Sequence, residues 1–131
     1  MSLYQEIINL RQELFDLRIK NEESELCHEL ESKIYELFEQ FKEQKRSYVD
    51  LLEKHERCWD EIRHWDTRRN KIPLTEKQED KLTVANNQAY KIHRELEKIG
   101  KNLGKSEIEI GMDLTAFRYC VITNDLPGLL I

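Results

Sequence analysis

Helix breakers are scarce in this sequence. Its 131 residues include 4 glycines and 2 prolines, so few points can interrupt a helix. Long apolar runs are missing too. No stretch approaches the roughly 18–20 apolar residues needed to cross a bilayer. The opening MSLYQEIINLRQE meets acidic residues at once and holds no apolar run, so it does not read as a signal peptide. Cysteine is limited to Cys27, Cys58 and Cys120, widely spaced and without a CxxC. An odd, dispersed set argues against a disulfide framework and for a reducing, cytoplasmic setting. Positive charge is in deficit: 21 Lys and Arg stand against 26 Asp and Glu, a net charge of −5. Proteins that live on phosphate backbones usually carry the opposite balance, because Lys and Arg release counterions on binding. Nucleic acid is therefore not the expected partner. A glycine-rich phosphate loop, a G-x-S-x-G elbow and an H-E-x-x-H pair are also absent, and with them the signatures of several enzyme classes.

What is present is charge and periodicity. Charged residues make up 36% and hydrophobic ones 39%, against a charged share of roughly 25% in average globular proteins. Long tracts of Ala, Glu, Lys, Leu, Arg and Gln have helix-forming composition. Leu, Ile and the aromatics recur too regularly for a disordered chain, and the length suits one domain over 1–131.

Leu3, Ile7, Leu10, Leu14 and Leu17 step by 4, 3, 4 and 3. That heptad seam predicts a helix over 3–20, with Ile8, Phe15 and Ile19 beside it. KNEESE offers a break, where Asn21 or Ser24 could cap a new helix. The second helix is expected over 24–69. Its apolar residues, from Leu26 to Trp59 and Ile62, fill an arc of about 160° when projected at about 100° per residue. Unbroken, it would be roughly 69 Å long. Either it breaks near EQKRS, residues 43–47, or other helices pack along successive parts of it. RRNKIPLTEKQ is the clearest boundary. Pro73 cannot continue a helix, and Thr75 with Gln78 reads as a capping box. The third helix, 75–99, has the seam Leu82, Ala85, Ala89, Ile92, Leu96 and Ile99, with Gly100 and Gly104 ending it. In the last segment Ile108, Ile110, Met112 and Leu114 alternate as a strand would. Ile110, Leu114, Phe117 and Val121 also form a helical stripe behind a Ser106–Glu109 box, and the reading is a helix over 106–123 with an apolar tail at 124–131. The expected fold is all-α: an antiparallel, coiled-coil-like bundle of three or four helices, one unusually long.

Two Glu-x-x-His pairs, Glu25 with His28 and Glu61 with His64, are half of a carboxylate-bridged di-metal site. On the helical projection both point mainly to solvent, and a continuous helix holds them about 54 Å apart. No matching inward Glu appears in the other seams, so the motif reads as accidental, and no metal or cofactor is expected. His55, Cys58 and Cys27 fall short of a zinc site, because His55-x-x-Cys58 needs two further ligands nearby. The acidic tracts NEESE and EKQED read as solvated faces. RHWDTRRNK joins Arg63, Trp65, Arg68, Arg69 and Lys71. Such a mixture can grip phosphate or stack a base, but cations at a helix C-terminus also complement the macrodipole. Trp59 lies on the apolar arc and reads as core. Trp65 lies off it and reads as a surface anchor, with Arg68 and Arg69 as neighbours of the type that dominates interfaces. LRQELFDLRIK resembles a short stretch of a small helical protein of the large ribosomal subunit. That family is strongly basic and this chain is acidic, so nothing is carried over.

The expected function is non-enzymatic: a protein-interaction, scaffold or adaptor role, with self-association as a homodimer. The seam Leu3, Ile7, Leu10, Leu14 and Leu17 is the expected dimer face, with Trp65, Arg68 and Arg69 as further contacts. The long helix has more apolar arc than a short neighbour can cover, and uncovered patches mark interfaces. The alternative is a small regulator that binds nucleic acid, or a nucleic-acid enzyme, through Arg63 to Lys71. A metal-dependent helical enzyme is the distant third, disfavoured by the lack of any visible inward polar constellation.

Overall fold

The computed structural model describes residues 1–20 and 25–120, the last two by backbone alone. The suggested caps Asn21 and Ser24, the helical turn expected at 121–123 and the tail 124–131 lie outside the described residues. Among the described residues the fold is all-α and has no strand: α1 spans Leu3–Ile19, α2 Glu25–Arg69, α3 Glu76–Asn102 and α4 Glu107–Cys120. No described helix is long and apolar enough to cross a membrane.

Local chemistry sets the ends. Ser2 caps α1 by accepting the Gln5 amide at 3.0 Å. Thr75 accepts the Gln78 amide at 3.3 Å while the Gln78 side chain accepts the Thr75 amide at 3.0 Å, so the expected capping box opens α3. Ser106 and Glu109 do the same for α4, both bonds at 3.2 Å. Helix wins over strand in α4 because its buried residues, Ile110, Asp113 and Phe117, fall on one helical face while Ile108 and Met112 are exposed. One expected boundary moves. Gly100 does not end α3, which continues to Asn102. A Cβ at Gly100 would lie 2.7 Å from Ile110 Cδ1 and 3.4 Å from Tyr48 Cε2. This glycine admits α4 rather than stopping α3. The turn itself is made at Gly104, whose φ is +84°, a conformation glycine adopts without a Cβ penalty.

The 45 residues of α2 form one unbroken helix, about 67 Å long, through the EQKRS stretch. Other helices pack along successive parts of it, the second of the two expected arrangements. α1 lies antiparallel along its first half, where Leu14 meets Cys27 and Leu30. α3 returns antiparallel along its second half, where Leu82 and Ala85 meet Ile62. α4 reverses again and runs in the direction of α2, from Tyr48 bonded to Asp113 to Glu56 paired with Arg118. All four helices meet in a central cluster that includes Leu3, Ile7, Tyr48, Leu96, Ile110 and Phe117.

α2 keeps one seam throughout. Cys27, Leu30, Ile34, Leu37, Phe41, Gln44, Tyr48, Leu51, His55, Cys58, Ile62 and Trp65 follow in alternating steps of 3 and 4, and each is buried or half-buried. A seam of that period drifts by roughly 20° per heptad around a straight helix, hence about 100° from Leu30 to Trp65. A fixed projection ignores the drift. It places Trp59 in the core and Trp65 at the surface, and the structure reverses both: Trp59 is exposed, and Trp65 packs against the Ile62, Leu82 and Ala85 cluster.

Candidate functional site

The seam expected to pair two copies of the chain is used within one copy. Leu3, Ile7 and Leu14 are buried, and Leu10 and Leu17 are half-buried against α2. The reason is simple: α2 carries its own seam of the same spacing, tethered close by in the same chain. What α1 leaves outside is the stripe beside that seam. Ile8 is exposed, as are Phe15 at 57% and Ile19 at 65%. These residues recur at steps of 7 and 4, so α1 is apolar on two opposed faces. Ile8 and Phe15 line a shallow groove together with Arg11, Gln12 and Arg18. Leu26, on the first turn of α2, is exposed as well.

The basic stretch is largely neutralised in place. Arg63 binds Glu56 at 2.8 Å and also Asp60. Arg69 binds Asp66 at 2.9 Å and Glu79 at 3.4 Å. Arg68 stays exposed and sits 6.0 Å from the Trp65 ring centroid, with Lys81 at 5.8 Å. Trp65 is thus flanked by cations and half-buried, and its indole N–H is buried without a partner among the described residues. The region offers less free positive charge than its sequence suggests. Glu25, His28, Glu61 and His64 are all exposed on α2, as the projection indicates, and among the described residues no group of three His, Cys, Asp or Glu is placed to hold a metal ion. Cys58 is half-buried, its thiol pushed up by burial and by Glu61.

An inward polar constellation does exist, contrary to expectation. Lys105 Nζ lies 2.9 Å from Asp113 Oδ2, both side chains 1% exposed. Tyr48 donates its hydroxyl to the same oxygen at 2.6 Å. Burial first, then the bond to Asp113 and the charges of Asp113 and Glu109, push the Tyr48 hydroxyl above its ordinary range, so it remains a donor. Beside this cluster, Asn102 accepts the Leu3 amide at 2.9 Å and donates to Gln44 at 2.6 Å. Together these groups fix the start of α1 and the α3–α4 turn against the middle of α2. Enclosed as it is, the cluster acts as a structural lock.

A second polar group is open to solvent. A cleft of about 430 Å³ lies between α2, α3 and α4, with Ile62, Ala89 and Leu114 in its apolar lining and His55, His93 and Arg118 among its polar residues. The His55 ring is 6.0 Å from that of His93. Burial lowers the His55 pKa, His93 and Arg118 lower it further, and Glu56 opposes them. His93 Nε2 lies 2.9 Å from Glu97. The Arg118 guanidinium lies 5.3 Å from the Trp59 ring centroid, with Nε 3.4 Å from Glu56. The signal that marks His55 is its position on the α2 seam, where its neighbours in register are apolar. Arg118 carries no such signal, because only the packing of α4 brings it to α2. No family model, curated protein or solved structure matches the chain.

Proposed function

We propose that the protein is a non-enzymatic scaffold that pairs with a second copy of itself through the outer face of α1. The observation that carries this reading is the double apolar face of α1: the inner seam packs on α2, and Ile8, Phe15 and Ile19 remain outside. Closed two-fold dimers are the commonest way to cover such a stripe. Charge supports a like copy as the occupant. On the helical projection Arg11 and Arg18 flank one side of the stripe, and Gln12 and Asp16 flank the other. Two α1 helices side by side in the same direction bring Arg11 and Arg18 of each, the latter also paired with Glu31 of its own chain, toward Gln12 and Asp16 of the other. The long α2 would then serve as a rigid arm behind the dimer face.

Light scattering at tens of micromolar tests the proposal. The expected mass is twice the 15.8 kDa of the chain. Phe15→Ser with Ile19→Ser should give a monomer of unchanged helicity, since both side chains are exposed. A monomeric wild type refutes self-association. A dimer that survives the double substitution refutes its placement on α1. Substituting the inner seam, as in Leu10→Asp with Leu14→Asp, would instead disrupt the α1–α2 packing.

A further inference from the structure

We infer that the cleft over His55 is a binding site for a small monocarboxylate with an apolar body. The carboxylate takes the open edge of the Arg118 guanidinium and a ring nitrogen of His55, and the body lies on Ile62, Ala89 and Leu114.

His55 is the first reason. It is 8% exposed, on a seam position otherwise suited to Leu or Ile. Among the described residues neither ring nitrogen has a hydrogen-bond partner, and the sealed, unpartnered side-chain atoms are Trp65 Nε1 and Asp113 Oδ1, not those of His55. The imidazole is therefore buried yet open to the cleft it lines. A ring nitrogen left without a protein partner and open to the cleft is available to hydrogen-bond a ligand there.

Arg118 is the second. Glu56 holds Nε, and the plane lies over Trp59, so the guanidinium is oriented before anything binds. Its two terminal nitrogens have no described partner, and that edge matches a carboxylate in fork geometry. Glu56 is shared with Arg63 at 2.8 Å, and Asp60 binds Arg63 as well, so the two guanidinium groups and the two carboxylates balance and the site carries little excess positive charge. A monoanion suits such a site better than a phosphate dianion, which would bring twice the negative charge.

Space is the third. Volumes of about 300–1,000 Å³ are typical of small-ligand sites, and this cleft has about 430 Å³. Gly111 lines it, and a Cβ there would meet no atom within 4 Å. Helix packing does not require this glycine, yet it keeps that wall open.

Binding is linked to protons. The charged or titratable groups around His55 are Glu56 on α2, His93 with Glu97 on α3, and Arg118 on α4. A carboxylate added to them favours the imidazolium, so binding takes up a proton and tightens as the pH falls toward mildly acidic values.

The test uses the full chain, with the His55 ring resonance followed by NMR during titration with benzoate, benzamide and phenyl phosphate. Benzoate should move the resonance saturably at millimolar concentration and raise the His55 pKa, while neutral benzamide should not. Arg118→Gln should weaken benzoate by about tenfold or more. Gly111→Leu, which fills the cleft from a position with free space, should abolish binding while the helicity persists. No saturable response to benzoate overturns the site. Equal binding of benzamide, or undiminished affinity in Arg118→Gln, overturns the carboxylate contact. Tighter binding of phenyl phosphate overturns the monoanion assignment.

Discussion

Near Leu30, α2 has one helical neighbour; near Leu52 it has two. The hairpin half, α1 on the start of α2, buries Leu14 to 8% exposure and Leu30 to 6%, while Leu96 in the three-helix half reaches 0%. The same seam spacing runs through both halves, so the difference comes from the number of walls. Two helices make a contact line, and three enclose a volume. Enclosure permits what a line does not: a buried ion pair, a buried tyrosine hydroxyl, and a histidine within the apolar seam. The line in turn leaves large apolar side chains outside, among them Phe15, Ile19, Tyr35 and Phe38. One half encloses polar groups among three helices, and the other packs apolar side chains along a single line.

The strongest way to break this contrast is to remove one member of the enclosed ion pair. Asp113→Ala takes the partner of Lys105 and the acceptor of Tyr48 at once. Losing one side of a buried pair costs about 3–5 kcal/mol, a large part of the roughly 5–15 kcal/mol stability of a small domain. The comparison is Arg18→Ala in the hairpin, which removes a mostly exposed pair with Glu31 and should cost below about 1 kcal/mol. Urea denaturation measures both. Similar losses would show that the cluster is not a lock.

Next come the two leucines. Leu96→Ala leaves a cavity walled on several sides, near the upper end of the about 2–5 kcal/mol range for such changes. Leu14→Ala lies on the contact line, where neighbours can collapse or water can enter, and should fall near the lower end. Thermal unfolding gives the order. A larger loss at Leu14 would refute the difference in enclosure.

Elements with local chemistry were legible in the sequence. The capping residues Thr75 and Ser106 act within three residues of their partners, and Pro73 acts on its own backbone, so α3 and α4 begin where expected. Features created by packing were not. Gly100 looks like a terminator until Ile110 arrives from α4. Lys105 and Asp113 carry no signal in the sequence, because only the α3–α4 turn brings them to 2.9 Å. The tryptophans were misplaced because a drifting seam on a helix this long cannot be read from one fixed projection. The α1 seam was read as a dimer face and packs on α2 instead, because its spacing carries no information on whether the partner is α2 or another chain.

Two glycines within the three-helix half differ in what surrounds them. Gly100→Ala improves helix propensity by about 1 kcal/mol but drives a methyl to 2.7 Å from Ile110 Cδ1. Overpacking of an enclosed site typically costs about 1–3 kcal/mol, so the net effect is destabilising. Gly111→Ala has the same propensity gain and no neighbour within 4 Å. It should stabilise by up to about 1 kcal/mol. Opposite shifts in melting temperature are expected, and shifts of the same sign would contradict the assignment of Gly100 to packing and Gly111 to open space.

Acid gives the smallest effect and separates the halves by location. The folded chain holds His55 below its ordinary value of 6.5, through burial, His93 and Arg118, against the opposing charge of Glu56. Between the lowered and the ordinary value the unfolded chain binds more protons than the folded one, so stability rises with pH across that window. The contribution is complete above the ordinary value. It declines as the pH falls through it and levels off below the folded value, where both states are protonated. His93, Glu97, Glu56 and Arg118 surround the ring, so the opening should begin among α2, α3 and α4. Amide hydrogen exchange, corrected for its intrinsic pH dependence, should show protection lost around Ala89 and Leu114 before it is lost around Leu14. His55→Gln should flatten that pH dependence while leaving the α1 amides unchanged. A uniform loss across both halves, or a slope that persists without the imidazole, would place the acid-sensitive group elsewhere.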